Sequence, residues 1–281
     1  MIVKSYAKIN ISLKVLGKRE DGYHDLEMVM LPLELHDIID ITKLGPNQDT
    51  YIVCDDIRLN SKNNICKKAL DLLREKYKFT ENFLIQIHKE IPMMAGLGGG
   101  SSNAAAILTS LNKILNLKIK EEELIELAKT LGADVPFFIK NKPCLVEGIG
   151  EKMTEILVKF PYFCLIVKPQ KGLSTVDVFK KCDNFPRLDI NTELVLEGLK
   201  KDDLLLVKKG FGNDLMGTSI SLLPDIGEIY SKLREDGFDV SLMSGSGSSL
   251  FALSKDAKKV KEAYKKYVRK GYDVRLTRVI A

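Results

Sequence analysis

A glycine-rich segment between a predicted strand and a predicted helix constrains the fold of this chain more than any other feature. The segment runs from Pro92 to Ala106 and reads PMMAGLGGGSSNAAA. Before it, apolar and more polar residues alternate over 83–88, as in a half-buried strand; after it, apolar residues recur at helical spacing over 104–115. Because glycine permits close backbone approach and a helix N-terminus attracts anions, the segment predicts a phosphate-binding loop.

The spacing of the glycines separates this segment from two familiar phosphate loops. A Walker loop requires Gly-Lys-Ser/Thr, but Ser101 directly follows Gly100. A dinucleotide loop requires G-x-G-x-x-G, whereas the glycines here crowd into positions 96, 98, 99 and 100. A tight turn without a ligand is the weaker alternative, because four flexible glycines in five positions cost backbone entropy.

Length and composition limit the class of protein. A chain of 281 residues favours two domains, and 45% hydrophobic with 29% charged residues is typical of a globular protein. No apolar run approaches the ~20 residues of a membrane helix, and the first residues do not form a signal segment, so the sequence predicts a cytoplasmic protein without a membrane partner. The five cysteines form no C-x-x-C pair and predict neither a zinc site nor disulfides.

The net charge of +5 is modest, and much of the excess lies between Lys255 and Arg278. The predicted helix in this region carries an apolar stripe that includes Val260, Ala263 and Tyr267. Its lysines are therefore interpreted as a solvated helix face, and a nucleic-acid surface is the weaker alternative.

The first predicted strand has two chemically different faces. Residues 9, 11, 13 and 15 are apolar, whereas Lys8, Asn10, Ser12 and Lys14 occupy the opposite face. Same-face neighbours in a strand are roughly 6.5–7 Å apart, so Lys8 and Asn10 could reach one small ligand. The alternative is a solvated polar face.

Helical spacing predicts helices near 63–76, 102–116 and 121–131. Asp134 follows the third of these, beside Pro136, at a predicted helix-to-strand corner. Such a position suits a catalytic carboxylate, although most loop aspartates are turn formers.

The second half of the chain contains a further glycine and serine segment, Ser244 to Ser249, between two apolar stretches. Its composition fits a flexible hairpin connection and a ligand loop equally well. Turn-forming residues around 147–151 precede a new predicted strand at 162–167. We therefore predict two domains, 1–155 with the glycine segment and 156–281.

Three segments, in this order along the chain, resemble the GHMP kinase superfamily. They are Ala7-Lys-Ile-Asn10, Pro92 to Ala106, and Ser244 to Ser249. The resemblance spans nearly the whole chain. Three more segments resemble the members that act on a cytidine-diphosphate-linked substrate: Asp21-Gly-Tyr-His24, Gly132-Ala-Asp-Val-Pro-Phe137 and Glu147-Gly-Ile-Gly-Glu151.

The resemblance implies an α+β, two-domain GHMP kinase fold with the active-site cleft between the domains. It also implies transfer of the ATP γ-phosphoryl group to the 2-hydroxyl of a cytidine-diphosphate-linked methylerythritol, in the non-mevalonate route to isoprenoid precursors. The alternatives are another GHMP kinase, acting on mevalonate, homoserine or a sugar, and an inactive nucleotide-binding regulator.

The same resemblance implies roles for individual residues. Asp134 would accept the hydroxyl proton, and Lys8 would neutralise charge near the attacking oxygen and orient Asp134. Asn10 would position the substrate. Tyr23, His24 and Phe179 would surround the cytosine base, although family members often carry tyrosine at the position of Phe179.

The resemblance also implies that backbone and hydroxyl groups of the glycine segment bind the triphosphate of the nucleotide. The implied residues are Pro92, Gly96, Leu97, Gly98, Gly99, Gly100, Ser101 and Ser102. Mg²⁺ would bridge the phosphates with mostly water ligands, and the sequence does not choose between Ser101 and Ser102 as a metal contact. Residues 60–65 are the candidate adenine pocket.

Overall fold

The computed structural model describes residues 1–59 and 64–281, which divide into two compact units. Unit 1 comprises Met1–Ala7, His36–Ile91 and Gly98–Asn141. Unit 2 comprises Lys8–Leu35, Pro92–Leu97 and Lys142–Ala281. Two long strands, β1 (Ile2–Lys18) and β2 (His24–Lys43), contribute residues to both units. The predicted domains, 1–155 and 156–281, stay a prediction. Residues 60–63 of the candidate adenine pocket lie outside the described residues.

Unit 1 combines strands with a group of helices. In chain order its further elements are β3 (Tyr51–Cys54), a 3₁₀ turn (Ile57–Leu59), α1 (Ile65–Tyr77), β4 (Phe83–His88), α2 (Gly99–Ile114), α3 (Glu121–Lys129) and α4 (Val135–Lys140). The second half of β2 is antiparallel to β4, and β3 is parallel to β4. Helices α1, α3 and α4 each contact α2.

The apolar periodicities place the core of unit 1 as the sequence predicts. Phe83, Ile85 and Ile87 are the buried residues of β4, and one face of α2 is fully buried through Ile107, Leu108 and Leu111. The three predicted helices are confirmed, with α2 beginning three residues earlier than predicted, at Gly99. The glycine segment therefore does lie between a half-buried strand and a helix.

Unit 2 contains most of the remaining strands and helices. In chain order they are β5 (Cys144–Gly148), β6 (Lys152–Glu155), β7 (Phe163–Lys168), α5 (Thr175–Lys181), a 3₁₀ turn (Cys182–Asn184), α6 (Thr192–Lys201), α7 (Leu204–Gly210), β8 (Gly212–Asn213), α8 (Met216–Leu222), α9 (Asp225–Glu235), β9 (Val240–Met243), β10 (Leu250–Ser254), α10 (Ala257–Arg269) and β11 (Asp273–Arg278). An antiparallel sheet has the strand order β11-β7-β10-β9. In addition, β5 pairs with the first half of β2 and with β6, and β8 is parallel to β1.

Helix α10 packs against β7 and β11 of the antiparallel sheet. Its buried residues are Val260, Ala263 and Tyr267, which confirms the predicted apolar stripe. The five cysteines are all buried. Over residues 1–59 and 64–281, no helix has both the length and the apolar character needed to cross a membrane.

Three residues of the polar face of β1 are buried in unit 2, so the alternative of a solvated face is wrong for them, whereas the Lys14 side chain is 37% exposed. Lys8 is 3% exposed, and Asn10 and Ser12 are 0% exposed. A buried ammonium or amide group is stable only when hydrogen bonds replace those it made with water. Lys8 and Asn10 have such partners, and these define the site described next.

Candidate functional site

The glycine segment changes from a turn into helix α2 at Gly98. Gly96 and Gly98 both have φ +72°, in the left-handed region that side chains other than glycine rarely adopt. Gly98 precedes the helix without a side-chain cap, and the first turn of α2 contains no acidic residue. The N–H groups at the start of a helix have no intrahelical acceptor, so this end of α2 presents donors and a positive dipole to an anion.

The serine loop, defined as Ser244–Ser249, supports the glycine segment within unit 2. The Ser244 hydroxyl donates to the Gly96 carbonyl oxygen at 2.9 Å, and the Ser249 amide donates to the Ala95 carbonyl oxygen at 3.2 Å. Every residue of the loop is buried between the antiparallel strands β9 and β10. The loop does connect two antiparallel strands as a hairpin, but its burial and hydrogen bonds make it a packed support and not a flexible connection.

Close packing explains why position 96 is glycine. A Cβ atom added there would lie 2.0 Å from the Ser244 carbonyl oxygen, a distance that only a backbone shift could relieve. The loop and the glycine segment therefore fix each other's position.

Lys8 and Asn10 lie against both of these segments. The Lys8 amide donates to the Leu97 carbonyl oxygen at 3.0 Å, and its ammonium Nζ donates to Asn10 Oδ1 at 2.7 Å. The Asn10 amide nitrogen of the main chain donates to the Ser244 hydroxyl at 3.3 Å. A Cβ atom added to Gly245 would lie 3.4 Å from both Lys8 Nζ and Asn10 Oδ1. Unit 2 thus brings a buried cation next to the glycine segment.

A buried polar network in unit 1 anchors the two residues that precede the glycine segment. Asp37 Oδ1 accepts from the amides of Glu90 and Ile91 at 2.8 and 2.9 Å. Asp37 Oδ2 pairs with the Lys89 ammonium and accepts from Asn103 Nδ2 at 2.9 Å. The side chains of Asp37 and Lys89 are 0% and 9% exposed. Sequence reasoning missed this network because its members are far apart in the chain.

Asp134 directly precedes α4 and is half-buried. The prediction of a helix-to-strand corner is wrong, because α3 is followed by the short helix α4. Pro136 is accommodated there in the first helical turn, where a missing N–H costs no hydrogen bond. Asp134 is thus on a helix-to-helix turn of unit 1, whose helices α3 and α4 both contact α2.

The predicted base-binding residues are partly brought together in unit 2. The rings of His24 and Phe179 are in contact, with centroids 5.5 Å apart and planes inclined by 34°. His24 is buried, whereas Tyr23 is 61% exposed. Within the described part of the chain, the Tyr23 ring contacts no other aromatic ring.

His24 has a second set of partners that sequence reasoning missed. Its Nε2 atom lies 3.1 Å from both carboxylate oxygens of Asp183, and Arg187 Nη2 donates to Asp183 Oδ1 at 2.7 Å. The hydrogen bond with His24 lowers the pKa of Asp183, and Arg187 acts in the same direction. Asp183 follows Phe179 by four residues, and side chains at this spacing are neighbours on a helix. This spacing is the sequence signal that could have placed Asp183 beside the predicted base-binding residues.

The ligand atoms of His24, Cys182 and Asp183 lie within 4.8 Å of one another and are a group that could hold a metal ion. Two observations favour a hydrogen-bonded network instead. The Cys182 thiol donates to the Phe179 carbonyl oxygen at 3.3 Å, and burial raises its pKa, which disfavours the thiolate that a metal requires. The Arg187 guanidinium also occupies an Asp183 oxygen and would repel a cation.

Two family models match the chain: "GHMP kinases N terminal domain" over residues 64–142 and "GHMP kinases C terminal" over residues 195–273. Proteins named 4-diphosphocytidyl-2-C-methyl-D-erythritol kinase from Clostridium kluyveri and Clostridium novyi are 37% and 38% identical, each over 100% of both chains.

Solved structures give the same result. A crystal structure of 4-(cytidine 5'-diphospho)-2C-methyl-D-erythritol kinase superimposes with a TM-score of 0.85 at 28% identity over 100% of both chains. Homoserine kinase from Cytophaga hutchinsonii shares the fold, with a TM-score of 0.74 at 16% identity over 99% of this chain and 95% of that one. The expected α+β GHMP kinase fold is confirmed, and the chain belongs to the GHMP kinase family.

Proposed function

We propose that this chain phosphorylates the 2-hydroxyl of 4-diphosphocytidyl-2-C-methyl-D-erythritol with ATP, giving the 2-phosphate and ADP in the non-mevalonate pathway. The observation that carries the proposal is similarity over the full chain to kinases named for that substrate, at 36–38% identity. Structures of mevalonate and homoserine kinases match at only 14–16% identity, so an acceptor of those kinds is less favoured.

The co-substrate of a GHMP kinase is ATP, and its acceptor is a small molecule. We propose that the triphosphate binds along the glycine segment and the open N-terminus of α2. The residues in this role are Pro92, Gly96, Leu97, Gly98, Gly99, Gly100, Ser101 and Ser102. The left-handed glycines and the uncapped first turn support this, because together they present main-chain N–H groups rather than side chains.

In the proposed reaction, the 2-hydroxyl oxygen of the acceptor forms a bond to the γ-phosphorus of ATP, and the bond from that phosphorus to the β–γ bridging oxygen breaks. ADP leaves, and Asp134 accepts the hydroxyl proton. The transition state of phosphoryl transfer is largely loose, so positioning and charge stabilisation matter more than early proton removal.

Lys8 is proposed to supply this charge stabilisation. Lys8 is 3% exposed and its ammonium is held by Asn10 Oδ1, so its orientation is set before the substrate binds. A cation in a water-poor site acts more strongly on developing negative charge than one in solvent. Asn10 is proposed to position both Lys8 and the acceptor.

Mg²⁺ is proposed to accompany the nucleotide. It is a hard cation that prefers oxygen ligands and retains several waters. The hydroxyls of Ser101 and Ser102 in the first turn of α2 and the Asp134 carboxylate are oxygen donors of this kind in unit 1. They fit such an ion, which would neutralise phosphate charge when bound.

The cytosine base is proposed to bind at His24, with Phe179 and Tyr23 as stacking surfaces. The contact of the His24 and Phe179 rings supports this, and stacking on an aromatic ring contributes about 1–3 kcal/mol per base. The exposed ring of Tyr23 supports a role for it as the other surface, because an exposed ring can cover a ligand.

We also propose that the chain acts in the cytoplasm, without a nucleic-acid or membrane partner, and that its two family domains divide near residue 155. The cysteines, odd in number and all buried, support a reducing compartment. The buried stripe of α10 supports the interpretation of its lysines as a solvated face.

The test is ADP release by the purified protein with Mg-ATP and 4-diphosphocytidyl-2-C-methyl-D-erythritol, with mevalonate, homoserine and galactose in parallel. We expect turnover only with the cytidine substrate. Asp134→Asn should lower kcat by roughly 100-fold or more, the usual contribution of a general base. Asp49→Asn, which removes an exposed carboxylate from the same unit, is the matched control and should leave kcat unchanged.

Turnover with a different acceptor would keep the family but remove the proposed substrate. Nucleotide binding without turnover on any acceptor would favour a regulator. Full activity of Asp134→Asn would remove that residue from the mechanism without affecting the choice of substrate.

A further inference from the structure

The hydrogen bonds of His24 determine which of its ring nitrogens carries a proton. An ionised carboxylate can only accept hydrogen bonds, and both oxygens of Asp183 lie 3.1 Å from His24 Nε2. The pKa of Asp183 is lowered by this hydrogen bond, so the carboxylate is ionised at neutral pH. Nε2 is therefore the donor. In a neutral imidazole the other nitrogen, Nδ1, must then be an acceptor.

Nδ1 is available for a ligand. Across residues 1–59 and 64–281, no group hydrogen-bonds to it, although the residue is only 6% exposed. An acceptor without a protein partner, next to an aromatic ring in a largely buried residue, favours a ligand with a donor at the same place.

Arg187 holds Asp183 in this orientation. Its Nη2 donates to Asp183 Oδ1 at 2.7 Å, and its Nη1 donates to the Cys182 carbonyl oxygen at 3.0 Å. The guanidinium thus fixes both the carboxylate and the backbone of the 3₁₀ turn that carries it. Such support is what keeps a hydrogen-bonding group at a defined place for recognition.

We infer that Asp183 is a positioning residue that sets the tautomer of His24 and thereby makes the base pocket select cytosine over uracil. The inference rests on the proposed function, because it concerns the base of that substrate. Cytosine presents an exocyclic amino group, a donor that suits an acceptor at Nδ1, whereas uracil presents a carbonyl oxygen at the same position. Two acceptors facing each other in a buried site leave both without a hydrogen bond.

The first measurement is spectroscopic and needs no substrate. Long-range ¹H–¹⁵N spectra of the imidazole rings distinguish a proton on Nε2 from one on Nδ1, and His24→Gln assigns the His24 signals. We expect the Nε2–H form in the wild-type protein. In Asp183→Asn an amide can accept from or donate to Nε2, so we expect a mixture of both tautomers. A wild-type ring protonated on Nδ1 would overturn the inference.

The second measurement compares kcat/KM for the cytidine substrate and for its uridine counterpart, with Mg-ATP held in excess. We expect Asp183→Asn to lower the ratio of the two values by roughly tenfold, about the effect of one hydrogen bond on binding. The change should lie in KM for the cytidine-linked substrate, with kcat within twofold and KM for ATP unchanged. Asp189→Asn, another exposed carboxylate six residues away, is the matched control and should not change the ratio.

The possible failures are distinct. A wild-type protein that does not turn over the cytidine substrate removes the proposed function, while the spectra still decide the tautomer of His24. A wild-type protein that does turn it over, with the same ratio for Asp183→Asn and Asp189→Asn, overturns the role of Asp183 alone.

Discussion

Replacing Asp37 by asparagine tests whether the buried network of unit 1 stabilises the fold. The carboxylate accepts four hydrogen bonds, two at each oxygen: the amides of Glu90 and Ile91 at Oδ1, and Lys89 Nζ and Asn103 Nδ2 at Oδ2. All four partners are donors. Asparagine has the same shape but has one oxygen and one NH₂ group, so in either orientation its NH₂ faces two donors.

The expected loss of stability is large because the substitution leaves a buried charge without its partner. With the amide oxygen at the Oδ1 position, the two main-chain bonds persist, but the ammonium of Lys89, whose side chain is 9% exposed, loses its counter-charge. Breaking a buried ion pair by removing one partner costs about 3–5 kcal/mol. For chains of about this size, each kcal/mol lowers Tm by roughly 2–4 °C, so the shift should be about 6–20 °C.

The measurement is urea unfolding followed by circular dichroism, with Tm determined in parallel. Asp40→Asn is the matched control, because it makes the same substitution on the same strand. Asp40 is 35% exposed in its side chain and pairs with the chain N-terminus at 3.6 Å. An exposed pair of this kind contributes about 0–1 kcal/mol, so the control should unfold nearly as the wild type does. The slope m should be unchanged in both.

A double variant identifies the cause. Lys89→Met removes the ammonium that Asp37→Asn leaves unpaired, so the combination should be more stable than Asp37→Asn alone. Equal stability of Asp37→Asn and Asp40→Asn would refute the argument. A double variant whose loss is the sum of two large single losses would show that the unpaired charge is not the cause.

Two further predictions concern the glycine segment and an alkaline transition. Gly96→Ala should raise KM for ATP at least tenfold, because its Cβ would lie 2.0 Å from the Ser244 carbonyl oxygen and a left-handed alanine costs about 1–2 kcal/mol. In the control Gly17→Ala, the added Cβ enters open space, so KM for ATP should not change. Equal KM values for the two variants would contradict this prediction. Tyr162 donates to Asp202 at 2.8 Å, and burial raises its pKa above the ordinary value of about 10. The stability contributed by protonated Tyr162 is fully present below a pH of about 10 and is lost as the pH rises from there toward the higher pKa in the folded protein. Tyr162→Phe should therefore be less stable than the wild type at pH 8, with a smaller difference between the two urea midpoints at pH 10.5. A difference that does not change with pH would contradict the assignment.

Periodic features of the fold could be predicted from the sequence because they depend on neighbours in the chain. The alternation over β4 and the helical spacing of α2 place buried residues correctly, and the strand to glycine segment to helix order follows from them. The opening strand was also predicted with its two faces. The burial of Lys8 and Asn10 was not decided by this pattern, since a polar face is usually solvated.

The error at Asp134 has a local cause. The helical signal of α3 ends near Gly132, and proline is rare inside helices, so a strand was expected next. Pro136 is tolerated because it lies in the first turn of α4, where its missing N–H has no acceptor to lose. A six-residue helix has too few turns to give a periodic signal.

The two hydrogen-bond networks that sequence reasoning missed join residues that are distant in the chain. Asp183 reaches His24 across 159 positions, and Asp37 reaches Asn103 across 66 positions. No pattern in a single chain specifies such pairs, because hydrogen bonds between side chains depend on distances that exist only after the backbone has folded.

The sequence by itself thus determined the local structures and, through its motifs, the family of this chain. Glycine spacing, apolar periodicity and the segment around Lys8 act within a few residues, where backbone sterics and helix geometry apply directly. The tertiary structure decided which nitrogen of His24 can accept a hydrogen bond, what supports the glycine segment, and which charges are buried. Those properties depend on solvent exclusion and on contacts between remote residues, which the chain acquires only when it packs.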